Sequence, residues 1–185
     1  RIERLIGRYT SESLYYYNES FNSRAIVGDD YSDPSDSSYG NNDVIGPDSS
    51  HGTHVAGIIA ANRDNLLGIK GVATNVKIMA IRAIPDGDER DKDVANSIIY
   101  AVDNGAKIIN MSFGKAASPY KKSVDEAMKY AEDNGVLLVH AAGNASQDND
   151  VAANFPNRKL MKEKRQLSNW LEIGASSYQV GELLP

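Results

Sequence analysis

No cysteine occurs among the 185 residues of this chain. Disulfides and thiol chemistry are therefore excluded, and no thiolate is available to complete a zinc site. Also missing is any apolar run long enough to span a bilayer. Nor is there an excess of basic charge: 20 Lys and Arg stand against 25 Asp and Glu, for a net charge of −5. That balance argues against a nucleic-acid partner, which requires a basic face. The opening Arg1-Ile2-Glu3-Arg4 has no apolar core behind it, so no signal peptide is read there. No internal repeat or low-complexity tract is present. No Gly-rich phosphate loop follows an apolar strand, which sets aside a nucleotide-binding α/β domain. What remains is an ordinary globular composition, 41% hydrophobic and 24% charged, in a length sufficient for one domain with a sizeable core.

Residues 1–25 carry little pattern. A helix over 1–17 has poor periodicity, and Tyr15, Tyr16 and Tyr17 read as packing or surface groups. Ala25-Ile26-Val27-Gly28 is a short strand candidate. Residues 29–47 are rich in Asp, Ser, Asn, Gly and Pro, a solvated acidic loop whose Asp29, Asp30, Asp33, Asp36 and Asp43 offer calcium as the alternative reading. From residue 72 onward the pattern becomes regular. Val76-Lys77-Ile78-Met79-Ala80-Ile81 reads as a buried strand, followed by a turn at Pro85-Asp86-Gly87-Asp88. Asp91 is placed to cap a helix over 91–104, with Val94, Ile98, Ala101 and Val102 on one face and Gly105 just past its end. Lys107-Ile108-Ile109-Asn110-Met111 is the next strand. Val124, Ala127, Met128 and Ala131 mark a second amphipathic helix, closed by Asn134-Gly135. Val136-Leu137-Leu138-Val139 is apolar on both faces, as inside a covered parallel sheet, and Leu171-Glu172-Ile173-Gly174 is one more strand. The basic stretch between Asn144 and Trp170 reads as a solvated loop or short helix. Strand alternating with helix predicts an α/β fold: a parallel sheet flanked by helices, with functional groups gathered at the carboxyl ends of the strands.

The most informative stretch is Asp48-Ser49-Ser50-His51-Gly52-Thr53-His54-Val55-Ala56-Gly57-Ile58. Ser49 or Ser50 is suited to cap a helix beginning near Gly52 or Thr53, with Ile58, Ile59 and Ala61 carrying it inward. His51 then stands at the helix mouth, where an imidazole can act as general base and then general acid near neutral pH. Zinc is a poor reading of His51 and His54: the spacing is i, i+3, with no Glu between them. His54 is expected on the packed side of the helix.

His51-Gly52-Thr53-His54-Val55-Ala56-Gly57 resembles the block around the catalytic histidine of the subtilisin-like serine peptidases, the subtilases. Val72-Ala73, then Ile109-Asn110-Met111-Ser112-Phe113-Gly114, then Ala141-Ala142-Gly143-Asn144 are similar to further blocks of that family in the same order, over residues 26–176. The resemblance implies a subtilisin-like three-layer sandwich, present in part, with residues 1–25 a poorly defined segment ahead of the core. It also implies hydrolysis of peptide bonds through a Ser-His-Asp acyl-enzyme, with His51 as base and Asn144 as donor to the oxyanion. Ser112, Phe113 and Gly114 align with the segment that pairs with an extended substrate, and Ala141, Ala142 and Gly143 with one wall of the pocket before the scissile bond. Gly87-Asp88-Glu89 aligns with the opposite edge, where two carboxylates in place of small residues suggest a preference for basic side chains upstream of the cut.

Two departures bear on activity. The family's aspartate stands in an Asp-Ser/Thr-Gly block, and its nucleophile in a Gly-Thr-Ser-Met-Ala block; neither occurs in this sequence. Ser112 sits in a groove block and is not the nucleophile. The expectation is therefore a central fragment, inactive alone, whose partners are a peptide or protein substrate and the remaining parts of its own peptidase domain. The alternative is a non-catalytic peptide-binding module on the same fold. No cofactor is required for the chemistry. A structural calcium ion is suggested at Asn62-Arg63-Asp64-Asn65-Leu66-Leu67-Gly68, although the spacing there differs from the family's by one residue. The resemblance further implies a secreted, periplasmic or cell-envelope enzyme, so the lack of a targeting segment suggests a cut chain.

Overall fold

A computed structural model describes residues 2–46, 48–85 and 89–176. The chain divides into two units, one of Arg1–Asp43 with Ile84–Asp88 and one of Val44–Ala83 with Glu89–Pro185.

In the first unit, helix α1 (Ile2–Ser11) runs into a π-helical turn over Glu12–Tyr16. Ile2, Leu5, Ile6 and Tyr9 recur at helical spacing, so the segment is more periodic than it reads at first, and all four are exposed. The strand expected at Ala25-Ile26-Val27-Gly28 is instead a single helical turn, α2 (Arg24–Val27). Local polar groups decide this. The Asn22 carboxamide oxygen accepts the Arg24 N–H at 3.0 Å, and Gly28 closes the turn at φ 73°. Arg24 pairs with the buried Asp29 at 2.5 Å and lies over the Tyr31 and Tyr39 rings. In the acidic loop, Asp30, Asp33 and Asp36 each accept the backbone N–H of the serine two residues on, at 2.8–2.9 Å. These carboxylates fold the chain as successive Asx turns.

In the second unit, strands β1 (Ile108–Met111), β2 (Leu137–Ala141) and β3 (Trp170–Ile173) form a parallel sheet in that order. Met111 pairs with His140, and Ala141 with Ile173. Helix α3 (Ser50–Ala60) precedes them, and α4 (Asp91–Asp103) and α5 (Lys121–Asp133) pack together, α5 also lying on β2. The predicted apolar stripes are the core: Val94, Ile98 and Ala101 from α4, and Val124, Ala127, Met128 and Ala131 from α5. Both helices end as expected. The N–H groups of Gly105 and Ala106 return to the carbonyls of Val102 and Ala101, and those of Gly135 and Val136 to Glu132 and Ala131. Gly105 (φ 84°) and Gly135 (φ 68°) take the left-handed conformation this termination needs.

Three expectations fail here. Residues 76–81 form no strand, and Val76, Ile78 and Met79 are exposed. Apolar alternation registers a tendency to be buried, but a strand exists only once its N–H and C=O groups have a partner. β2 is fully buried on one face only, through Leu138 and His140, while Leu137 and Val139 are half-buried. Asp91 is the first residue of α4 and does not cap it through its side chain. Instead it is a buried acceptor, taking the Ser118 hydroxyl at 2.8 Å, the Tyr120 N–H at 2.7 Å and the Lys115 ammonium at 3.0 Å.

The basic stretch after Asn144 is pinned to α5. Asp125 accepts the Met161 N–H at 2.8 Å and pairs with Lys121, while Lys162 reaches Glu126. Leu160 and Leu167 are buried beneath it. Glu132 receives the Ser168 N–H at 2.6 Å, the Ser168 hydroxyl at 2.8 Å and Arg165 at 2.7 Å. Burial alone would raise its pKa, but the Ser168 and Arg165 donors prevail and hold it at about 2 against an ordinary value of 4.5. A depressed carboxylate pKa stabilises the fold above the unfolded value and ceases to do so as pH falls through the folded one. We therefore expect the stability gap between the native chain and Glu132→Gln, measured by urea unfolding, to be full above pH 5. It should shrink between about pH 4.5 and 2.

Candidate active site

The helix bearing the candidate base is started by a carboxylate. Asp48 accepts the Ser50 N–H at 2.8 Å, whereas Ser49, in the capping position, makes no side-chain bond. The helix thus begins at Ser50, ahead of the expected Gly52 or Thr53. His51 lies in its exposed first turn, and its side chain makes no hydrogen bond or ion pair among the described residues. Two expectations about its packing are corrected. His54 is exposed, not on a packed side, and no residue of α3 is buried, Ile58 and Ile59 included. The helix is held from its far end instead. The N–H groups of Gly71, Val72 and Ala73 donate to the carbonyls of Ala61, Ile58 and Ile59 at 2.8–3.0 Å. These bonds occupy carbonyls that helix termination leaves open. A Cβ on Gly71 would overlap the Ala61 nitrogen and stand 2.6 Å from Ala60. This is the physical basis of the Gly-Val-Ala block.

The two groove blocks leave adjacent parallel strands at the same end. Ser112, Phe113 and Gly114 follow β1, and Ala142, Gly143 and Asn144 follow β2, whose last residue is Ala141. The Ala142 N–H donates to the Ile173 carbonyl at 2.9 Å, and its own carbonyl accepts from Asn149, also at 2.9 Å. Gly143 turns the chain at φ 94°, leaving Asn144 exposed. The Ser112 hydroxyl takes a hydrogen bond from the Asn110 carboxamide at 2.8 Å. Gly87, with Asp86 and Asp88, lies outside the described residues.

Asn154 joins the two blocks, and nothing in the sequence singles it out. Its carboxamide N–H donates to the Ala141 carbonyl at 3.0 Å, and its oxygen fills the space that a Cβ on Gly114 would need. The following Phe155 exchanges two backbone hydrogen bonds with Lys115, at 3.0 and 2.8 Å. Lys115 also donates to the Glu89 carbonyl and pairs with Asp91. The segments after β1 and β2 are therefore stitched to both strand ends and to the start of α4.

Residues 62–68 are folded in part by their own asparagines. The side-chain oxygens of Asn62 and Asn65 already accept the N–H groups of Asp64 and Leu67, at 2.9 and 3.0 Å. Among the described residues no group of three His, Asp or Glu is arranged to hold a metal ion. No helix among them is long and apolar enough to cross a membrane.

The sequence profile of the subtilase family matches residues 15–183, and the chain belongs to that family. It is similar to the thermophilic serine proteinase of Bacillus sp. (strain AK1), 45% identical over 95 residues, covering 51% of this chain and 23% of that protein. Thermitase of Thermoactinomyces vulgaris is 41% identical over 107 residues, 57% of this chain and 37% of that protein. Among solved structures, sphericase superposes with a TM-score of 0.57 at 31% identity, over 72% of this chain and 42% of that one. The chain thus spans less than two-fifths of the length of either curated relative. Matched relatives include both a major intracellular serine protease and a minor extracellular protease of Bacillus subtilis (strain 168).

The two close glycine contacts differ in what must yield. Gly71→Ala presses on backbone and should cost about 1–3 kcal/mol. Gly114→Ala can be relieved by displacing the Asn154 side chain, at the cost of its bond to Ala141, about 0.5–1.5 kcal/mol. Urea unfolding should show the Gly114→Ala loss largely absent when Asn154→Ala is already in place, and no such relief for Gly71→Ala.

Proposed function

We propose that this chain is the central part of a subtilisin-like serine endopeptidase, a single peptidase domain in which residues 1–25 precede the core. The observation that carries the reading is the emergence of the 112–114 and 141–144 blocks side by side from neighbouring strand ends. In this reading an extended peptide pairs with the backbone of Ser112, Phe113 and Gly114, while Ala141, Ala142 and Gly143 form a wall of the pocket before the scissile bond. His51 takes the proton of a serine hydroxyl contributed by the remainder of the domain, and returns it to the leaving amine. Asn144 donates its carboxamide N–H to the oxyanion as charge develops there. The resemblance assigns Gly87, outside the described residues, to the opposite edge of the groove.

The remainder of the domain is also the partner that the surface calls for. Ile58, Leu66, Leu67, Ile69, Val72 and Val76 are all exposed, and in this reading the remainder of the domain covers them. Acyl transfer by these groups needs no cofactor, and a calcium ion, if the whole domain holds one, needs ligands beyond residues 62–68. On the resemblance we place the parent enzyme outside the cytoplasm: secreted, periplasmic or in the cell envelope.

The test compares the 185-residue chain with the intact domain encoded by its own gene. The chain alone, with no Asp-Ser/Thr-Gly or Gly-Thr-Ser block, should not hydrolyse fluorogenic peptides. In the intact domain, His51→Ala should lower kcat about a million-fold, the figure set by subtilisin for loss of a triad histidine. Asn144→Ala should lower it about 10²–10³-fold with little change in KM, again the subtilisin figure. Peptide binding without hydrolysis by the intact domain would instead support the non-catalytic module. Undiminished hydrolysis by His51→Ala would refute the assignment of the base.

A further inference from the structure

His140 is the one polar residue on the buried face of β2. Its ring is 1% exposed, and neither ring nitrogen has a hydrogen-bond partner. It meets the Phe113 ring edge-on, with centroids 6.4 Å apart at 83°, and the Trp170 ring at 5.1 Å and 37°. Trp170 likewise has an indole N–H with no partner. Buried polar atoms are ordinarily paired, so a histidine here demands a reason that an alanine or leucine would not. Its contacts supply one. Phe113 belongs to the segment leaving β1, and Trp170 opens β3, so the imidazole bridges from the central strand to both of its neighbours. We propose that His140 is a positioning residue for the peptide groove: the uncharged ring, lodged between Phe113 and Trp170, fixes the 112–114 segment, and protonation loosens it. The proposal rests on reading residues 112–114 as groove.

The surroundings favour the neutral ring. Burial lowers its pKa below the ordinary 6.5, against the opposing field of Glu172 and a nearby backbone group of Phe113. Glu172, on β3, is the charged group that acts on the ring, and it also accepts from Asn149. The buried acids of the packed helices are engaged elsewhere: Asp125 of α5 with Lys121 and the Met161 N–H, and Asp91 of α4 with Lys115, Ser118 and Tyr120. Lys92 of α4, also buried, has its own interactions. An imidazolium at this position would find an acceptor in the Phe113 backbone, but burial outweighs that bond and the Glu172 field and favours the neutral ring.

Trp170 is the only tryptophan of the chain, which makes it a reporter of its neighbour's charge. In the 185-residue chain, indole fluorescence should fall on acidification with a midpoint below 6.5. Over the same pH range, hydrogen exchange at residues 112–114, corrected for its intrinsic pH dependence, should accelerate about tenfold, the scale of one ring pair lost. The amides of α4 and α5 should keep their protection. His140→Phe should abolish both acid transitions while retaining neutral-pH protection of 112–114, with His140→Gln as a second uncharged replacement if the larger ring does not fold. His140→Ala should raise exchange at 112–114 about tenfold at neutral pH. The absence of any acid transition in the native chain, or equal loosening of all three strands and both helices in His140→Ala, would overturn the proposal. Neither readout requires peptide binding or turnover, so failure of the peptidase assignment would leave this result standing, and the converse.

Discussion

The pairing of Met111 with His140 sets where the segments after β1 and β2 begin. Parallel strands in register end together, so the chain leaving β1 and the chain leaving β2 emerge side by side. A shift of one residue would exchange the two faces of β2. It would carry His140 out of the core and put the half-buried Val139 in its place. It would also separate the Ala141 carbonyl from Asn154, and with it the link between Gly143 and Gly114. The 112–114 and 142–144 segments thus inherit their positions from sheet register.

The parts of the fold visible in the sequence are those with local causes. The α4 and α5 stripes recur at helical spacing, and Gly105 and Gly135 stop both helices by a backbone conformation that other residues rarely adopt. β1 and β2 were legible as apolar runs after helices, and β3 as a short run alternating about Glu172. What was illegible depended on choices among several local hydrogen-bond donors and acceptors. Asp48, rather than Ser49, takes the first N–H of α3. Asn22 and Gly28 turn Ala25-Ile26-Val27 into a helical turn although the residues suit a strand. Residues 76–81 have the composition of a strand but no ladder partner among the described residues.

The site was legible in the same uneven way. The blocks containing His51, Ser112 and Asn144 stand out because short motifs of glycine and polar residues, in a fixed order along the chain, rarely arise by chance. Asn154 and Asp91 do not, because their roles depend on residues 13 and 29 positions away, at Ala141 and Tyr120. His140 gave one faint signal: a polar residue inside an otherwise apolar run, at the alternating position that points into the core. Such a signal distinguishes a buried histidine, but only its ring neighbours say what it holds.

Carboxylates illustrate why residue type alone cannot carry the assignment. Asp30, Asp33 and Asp36 serve as turn acceptors for serines two residues on. Asp91, buried among a lysine, a hydroxyl and an amide N–H, anchors the loop after the groove to α4. Glu132, with three donors converging on it, pins the chain before β3. Each set pairs its carboxylates with donors from the protein itself. These acids have partners within the fold, and His51 and Asn144 differ from them in that respect. A group fully engaged by its own protein has no capacity left for a substrate, whereas these two are exposed and, among the described residues, have no hydrogen-bond partner.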